Sequence, residues 1–408
     1  MSLFPIKIQF FLSYGVIGSL APLLVLILRD SKNFEPRQIG ITLAVSSVGM
    51  LFSPGIMTFL ADRNFDSRKI LRVIFAGTAG SLIAVYYLQD PVAVTLAWAL
   101  YSIIFIPALP LLDGYYFNST RNHQSGNPLA GNAYQFVRVW GSIGFMLPAG
   151  ALFFVLDAPA SAIHALWCAV AWCLFAFVGT FALQPCNIKQ STRCATPTRE
   201  AMRVIFSRST LPMCVGLFLV YVAANCYFPY LSVFFKDEVG IDLKWIPLIS
   251  AIGVAFEIGY LLGLGPIRRL IKIKGILVLG LASMGTRLAL LAAFPSMSTS
   301  ILIQLVHGLE ILAMFVVPVI YLDRVAGDGF RNSIQGAFTV VITVPARLVG
   351  FLLAGEIAQA SSSTEVIYTA ALLAFSAMLV ILFTFRPSCT NDPVPDKPEA
   401  SVKSQGST

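Results

Sequence analysis

The stretch QLVHGLEILAMFV, residues 304–316, is apolar except for Gln304, His307 and Glu310. It lies within an apolar segment, 300–321, that is long enough to cross a bilayer, which takes about 20 residues. In a helix the three polar residues share one face, because each lies three residues from the next. Ionisable groups are costly in lipid, so we expect this face to turn towards the protein interior or a water-filled cavity.

The rest of the chain is equally apolar. Hydrophobic residues make up 57% of it and charged residues only 12%, against roughly 25% in a soluble domain. We therefore predict an all-α membrane protein with twelve transmembrane helices. The predicted segments are 6–28, 39–61, 70–89, 92–114, 132–156, 162–184, 209–235, 245–264, 275–294, 300–321, 335–359 and 365–385.

A long polar loop divides these helices into two sets of six. We predict an N-terminal bundle over 1–184, a central loop over 185–208 and a C-terminal bundle over 209–386. The Pro- and Ser-rich tail, 387–408, has the composition of a disordered segment. Two pseudo-symmetric bundles are typical of transporters that rock around a site at mid-membrane.

Basic residues are concentrated in alternate loops, among them the loop after the second segment and the central loop. Cytoplasmic loops carry an excess of Lys and Arg, so we predict that both termini are cytoplasmic. This topology accounts for the net charge of +8, and we predict no nucleic-acid partner. The seven cysteines have no metal-binding spacing, and we predict no metal or other cofactor.

Several titratable residues lie inside the apolar segments. They are Asp113, Arg138, Glu257, Arg287, His307, Glu310 and Arg347. Burial favours the protonated form of a carboxyl and a nearby cation favours the ionised form, so a carboxyl whose cation comes and goes would bind and release a proton. Glu310 is the predicted proton site, with Arg287 as its cation and Glu257 as a second acid. A static ion pair is the alternative.

Asp113 and Arg138 form a second candidate pair, in the first half of the chain. Such a pair can bond sugar hydroxyls or a carboxylate. The alternative is a salt bridge near the cytoplasmic ends of the helices. The sequence indicates no partner for Arg347.

The loop FLADRNFDSRKIL, residues 59–71, resembles the G-x-x-x-D-R-x-G-R-[RK] loop motif of the major facilitator superfamily. Thr58 stands at the position of the motif's glycine. The residues that match in kind, and that the resemblance assigns to gating, are Asp62, Arg63, Arg68 and Lys69.

Segment five carries RVWGSIGF, residues 138–145, which resembles the R-x-x-G-C-x-G-W pattern of lactose permease-like proton symporters. Arg138 matches the arginine, and Ser142 stands at the cysteine. Phe145 stands at the tryptophan that stacks on the sugar ring in that family. Asp113 takes the place of the glutamate that pairs with the arginine.

The second half resembles the same family at four charged positions, in type, helix and order. These positions are Glu257, Arg287, His307 and Glu310. The resemblance implies that Glu310 carries the coupled proton and that His307 helps to organise substrate binding. Gln304 replaces a family lysine, and segment seven offers Asn225 where the family has acids, so both sides of that ion pair are neutral here. The first segment and RVWGS look closer to the phenylpropionate transporter branch.

We therefore predict a monomeric, proton-coupled symporter of the inner (plasma) membrane, working by alternating access on a small polar organic solute, sugar-like in character. Uptake of an aromatic acid or a nucleoside, proton-coupled efflux, and sensing without transport are the alternatives. An enzyme is not expected, because no set of nucleophile, base or metal ligands accompanies His307 and Glu310. The predicted substrate contacts are Asp113, Arg138, Ser142, Phe145, Asn225, Glu257 and His307.

Overall fold

The computed structural model describes residues 3–52, 66–121, 130–185 and 197–386, and they form an all-helical bundle. Among these residues, ten helices are long and apolar enough to cross a membrane, and the bent first helix makes eleven if it is counted as one span. The second predicted segment runs on into 53–65, outside the described residues. Hydropathy thus located the helices to within a few residues.

The N-terminal half contains helices α1 to α6. Their bounds are α1 Phe4–Leu20 continued by Leu24–Ser31, α2 Pro36–Ser47, α3 Ser67–Tyr87, α4 Pro91–Tyr116, α5 Ala130–Phe153 and α6 Ser161–Ala182. The two parts of α1 meet at 46°. Pro22 lies at this break, and a proline has no N–H for the helical hydrogen bond, so the chain bends there.

The C-terminal half contains helices α7 to α12. Their bounds are α7 Leu211–Asp237, α8 Leu243–Leu262, α9 Ile273–Ala293, α10 Met297–Ala326, α11 Ile334–Ala360 and α12 Ser363–Thr384. The sequence predicted a connection between α10 and α11, but the backbone stays helical there, over Val317–Phe338. The central loop also contains a short helix, Pro197–Ile205, which packs on Val317–Phe338 and buries Ala201 and Ile205.

Each half is held together by close helix packing. In the first half α1 packs against α5 and α6, and in the second half α12 packs against α7 and α9. The α1–α5 contact is direct between backbones, because a Cβ added to Gly18 or Gly144 would lie 2.0 Å from a carbonyl oxygen of the facing helix. Small residues at such crossings are the usual means by which membrane helices approach closely.

Three of the described helices contain a π-helical turn. The turns are Ile27–Ser31 in α1, Leu312–Val316 in α10 and Thr339–Thr343 in α11, and each of the last two is followed directly by a Val-Pro pair. Pro318 offers no N–H to the carbonyl of Met314, four residues earlier, and the hydroxyl of Tyr221 donates to that carbonyl instead, at 2.7 Å. Such turns are frequent at functional sites, and the one in α10 begins two residues after Glu310.

Candidate functional site

Glu310 and Arg287 form a buried, bidentate ion pair between α10 and α9. Arg287 Nε donates to Glu310 Oε2 at 2.6 Å, and Nη2 donates to Oε1 at 2.6 Å. The two residues are 0% and 2% exposed, respectively. The planar guanidinium matches the carboxylate with two parallel hydrogen bonds, which is the strongest geometry available to such a pair.

Tyr227 and His307 complete a group that we call the coupling cluster, namely Glu310, Arg287, Tyr227 and His307. The Tyr227 hydroxyl donates to Glu310 Oε1 at 2.5 Å and accepts a hydrogen bond from Arg287 Nη2. His307 Nδ1 lies 2.9 Å from Glu310 Oε1, but its direction misses hydrogen-bond geometry. The histidine is therefore a close neighbour of the carboxylate rather than its hydrogen-bond partner.

The coupling cluster can exist in two charge states. With Glu310 ionised, as the bidentate pair requires, the carboxylate and the guanidinium cancel. Addition of a proton to Glu310 would leave Arg287 without its counter-ion in a buried site, which is unfavourable unless the two side chains separate. Protonation of the carboxyl therefore favours separation of the Glu310 and Arg287 side chains.

A second group of polar residues lies where α5 packs against α8, at the junction of the two halves. We call it the central cluster: Tyr14, Asp113, Arg138 and Glu257. The Arg138 guanidinium carbon lies 4.2 Å from the centre of the Tyr14 ring, and Tyr14 is also within electrostatic reach of Asp113 and Glu257. Glu257 lies within electrostatic reach of both His307 and Arg138, and its Cα lies 2.8 Å from the place of a Cβ on Gly308, so it stands between the two clusters.

Three further predicted contact residues lie around the central cluster. Ser142 is buried one turn after Arg138. The backbone of Phe145 lies against Gly18 of α1, in the α1–α5 crossing. On α7, Asn225 is half-buried and its Nδ2 donates to the Tyr221 carbonyl at 2.6 Å, so its oxygen remains the atom with which it would accept from a ligand.

Of the predicted gating-loop residues, Asp62 and Arg63 lie outside the described residues. Arg68 forms an ion pair with Asp66 at 2.7 Å and also donates to the Leu183 carbonyl. Asp66 caps the start of α3 by accepting from the Arg68 backbone N–H. The hydrogen bond from the Arg68 side chain lowers the pKa of Asp66 below its usual range. Lys69 is exposed.

Ion pairs and a hydrogen bond join the two halves at the end of the bundle where α1 is followed by α2. Asp30 of α1 pairs with Lys236 of α7 at 2.7 Å, and Arg29 forms a bidentate pair with Asp237. Tyr230 donates to the Pro36 carbonyl at 3.0 Å. We call these the closing contacts.

Helices α2 and α11 meet at the same end through a pair of glycines. A Cβ added to Gly40 would lie 2.7 Å from the Phe351 carbonyl oxygen and 3.0 Å from the Cα of Gly355. The neighbouring pair Arg37–Glu356, at 2.7 Å, is more than half exposed on both sides and contributes little. Backbone contact rather than surface charge therefore closes this edge.

Sequence reasoning missed two residues of the clusters, Tyr227 and Tyr14. Both are aromatic residues in apolar helices, where hydropathy does not distinguish them from ordinary core residues. The phenolic hydroxyl was the one indication in the sequence, because a buried tyrosine hydroxyl usually has a hydrogen-bond partner. The sequence does not say which partner, since Glu310 is 83 residues from Tyr227.

Comparison with known proteins agrees with this architecture. The model of the MFS_1 like family matches residues 3–370. The xanthosine permease of Escherichia coli (strain K12) is 20% identical over 367 residues, which are 86% of each chain.

Two solved structures share the fold. A mutant of the nucleoside transporter NupG superposes with a TM-score of 0.83 at 16% identity, covering 94% of this chain and 99% of that one. A D-xylose–proton symporter superposes with a TM-score of 0.72 at 12% identity, covering 95% and 98%. The chain belongs to the MFS_1-like family of the major facilitator superfamily, and it is a multi-pass secondary transporter and not an enzyme.

Proposed function

We propose that this protein takes up a nucleoside together with a proton. The observation that carries the proposal is the buried Glu310–Arg287 pair, linked through His307 and Glu257 to a polar cluster between the halves. The similarity to a xanthosine permease and to NupG favours a nucleoside over the free sugar that the sequence led us to expect. A ribose still supplies hydroxyls of the kind that Arg138 and Asp113 can bond.

The substrate binds between the halves, with its ribose at the central cluster and its flat base against aromatic side chains. Asn225 and His307 line the C-terminal side of this site, and Arg138 and Phe145 line the N-terminal side. Aromatic rings suit a nucleobase because each base has a π-face on which to stack. Phe145, where lactose permease-like symporters have the sugar-stacking tryptophan, keeps an aromatic ring at that position.

The coupling cluster drives the cycle. From outside, a proton binds Glu310 while Arg287 is withdrawn, and the loaded carrier reorients. Facing the cytoplasm, Arg287 returns to the carboxylate and the proton leaves. With both termini in the cytoplasm, the closing contacts lie on the outer side, so the described state faces inwards with Glu310 ionised, as expected after release.

The test is uptake into proteoliposomes that contain the purified protein, with and without an inward proton gradient. Radiolabelled inosine, uridine, xanthosine and xylose are the probes. We expect nucleosides to accumulate uphill only with the gradient and to compete with one another, whereas xylose does not compete. A carrier that accumulates xylose and ignores all nucleosides would overturn the assignment of substrate.

The role of Glu310 is tested in the same system with Glu310→Gln. The amide cannot release a proton, so uphill accumulation should be lost while exchange of labelled for unlabelled nucleoside continues. Glu365→Gln is the matched control, because this acid is exposed at the start of α12. Uphill accumulation by Glu310→Gln at the control's level would reject the coupling scheme.

A further inference from the structure

Arg347 is a cation that neither cluster uses. It lies in α11, four residues before Phe351 and three before Gly350. The Phe351 carbonyl lies against Gly40 of α2, in the other half, whereas a Cβ on Gly350 would lie 2.7 Å from the Val222 carbonyl of α7. Residues three and four apart in a helix are neighbours on its surface. Arg347 therefore lies on the surface of α11 between the side that packs on α7 and the side that packs on α2 of the opposite half.

The guanidinium of Arg347 has no acidic partner within the residues that the structure describes. Its Nε is buried and makes no hydrogen bond, and its carbon lies 5.2 Å from the centre of the Phe351 ring. An arginine stays charged in a protein, so this side chain cannot lose its charge to suit the site. A partly buried charge without a counter-ion is less stable than a paired one, which is why such groups are normally paired.

The contrast with Arg287 is direct. Arg287 is 2% exposed and has Glu310 as a bidentate partner, whereas Arg347 is partly buried and has no acidic partner among the described residues. On the neighbouring stretch of α7, Asn225 lies beside Gly350, with its Cβ 2.8 Å from the place of a Cβ on that glycine, and it carries no charge. An anion that enters from outside the chain would neutralise Arg347.

The backbone beside Arg347 is built like the backbone beside Glu310. The π-helical turn Thr339–Thr343 ends four residues before Arg347, and the turn Leu312–Val316 begins two residues after Glu310. A π-turn widens the helix and leaves carbonyls imperfectly paired, a feature concentrated at functional sites. A third such turn, Ile27–Ser31, holds Arg29 and Asp30 of the closing contacts, so the π-turns of this chain accompany places where a helix is adapted to an ion pair, a ligand or a movement.

We propose that Arg347 binds the negative charge of the transported solute, so that the preferred substrate is a nucleoside whose base is an anion. This inference rests on the proposed function and adds to it the charge of the substrate. A planar guanidinium suits an anionic base, because its N–H groups can bond two neighbouring acceptor atoms in one plane. A free inorganic anion is the other source of the same charge.

The test compares two nucleosides that differ by one carbonyl. Inosine has a neutral base, whereas xanthosine has a second carbonyl that makes its base an anion at neutral pH. Binding of each to the purified full-length protein is measured at pH 7.5. We expect the wild type to prefer xanthosine, and Arg347→Gln to reduce the ratio of xanthosine to inosine affinity by roughly tenfold or more, as loss of a hydrogen bond to a charged group predicts.

Two further variants keep the result interpretable. Arg347→Lys retains the charge and should recover part of the preference, even if Arg347→Gln does not reach the membrane. Arg37→Gln is the matched control, because Arg37 is an exposed arginine of the α2–α11 edge and should leave the ratio unchanged. An unchanged ratio in Arg347→Gln, or a wild type without preference for xanthosine, overturns the inference while nucleoside transport itself stands.

The source of the anion is tested by replacing chloride with gluconate. If chloride were the counter-ion, its removal would weaken inosine binding by the wild type and not by Arg347→Gln, and that outcome would refute the role of the solute. If the wild type binds no nucleoside at all, the proposed function has failed. The two failures are therefore distinct.

Discussion

Tyr227→Phe tests whether the coupling cluster is held together as the structure shows. The substitution removes one oxygen atom, which donates to Glu310 Oε1 and accepts from Arg287 Nη2. The ring stays in place, packed 4.2 Å from the Phe228 ring and 5.1 Å from the Arg287 guanidinium carbon. The change is therefore confined to hydrogen bonding.

The expected cost follows from the charges involved. A hydrogen bond to a charged group contributes about 1.5–3 kcal/mol, whereas a neutral one contributes about 1 kcal/mol. Glu310 keeps both bonds from Arg287, so the pair survives and the protein still folds. We expect Tyr227→Phe to lower the free energy of unfolding by about 1.5–3 kcal/mol.

The assay is unfolding by SDS in mixed micelles, read by the loss of helical circular dichroism. Tyr101→Phe is the control, because its ring stacks on Trp98 and Phe105 and the structure gives its hydroxyl no bond to a charged group of the described chain. We expect this control to change stability by less than about 0.5 kcal/mol.

A double-mutant cycle with Glu310→Gln isolates the interaction. Once the charge on the carboxyl is removed, the cost of losing the Tyr227 hydroxyl should fall to about 1 kcal/mol, the value for a neutral pair. Equal costs in the wild-type and Glu310→Gln backgrounds, or a Tyr227→Phe no worse than Tyr101→Phe, would refute the arrangement of the cluster.

Two other predictions concern the ends of the bundle. Gly40→Leu should abolish transport while expression and folding persist, because any side chain there collides with α11 when the halves close. The variant should stay open on the outer side, which the reactivity of cysteines introduced along the cleft would report. Normal transport by this variant would contradict the prediction. Asp66→Asn keeps the cap of α3 but removes the charge that binds Arg68. Since the pKa of Asp66 is lowered in the folded protein, the stabilisation is present above the usual carboxyl range near 4 and is lost as the pH falls through the lower folded value. The wild type should therefore exceed the variant in thermal stability at pH 7 and converge with it in acid, and a constant difference at all pH values would count against the ion pair.

The positions and apolar character of the described helices were readable from the sequence alone. The thickness of the bilayer sets the length of each apolar run, so hydropathy locates α3 over Ser67–Tyr87 or α12 over Ser363–Thr384 without knowledge of any contact. The same reasoning identified the unusual residues, because a charge in lipid is costly wherever it lies. It also placed His307 and Glu310 on one face of one helix, since that depends only on helical periodicity.

Which groups meet was decided by the tertiary structure. Glu310 reaches Arg287 across 23 residues of sequence and Tyr227 across 83, and these encounters depend on how α7, α9 and α10 are rotated about their own axes. Apolar helices pack in many rotations that hydropathy does not distinguish, whereas glycine contacts and proline-linked π-turns select one. For the same reason, only the fold shows which side chains surround Arg347, and among the described residues its Nε has no hydrogen-bond partner.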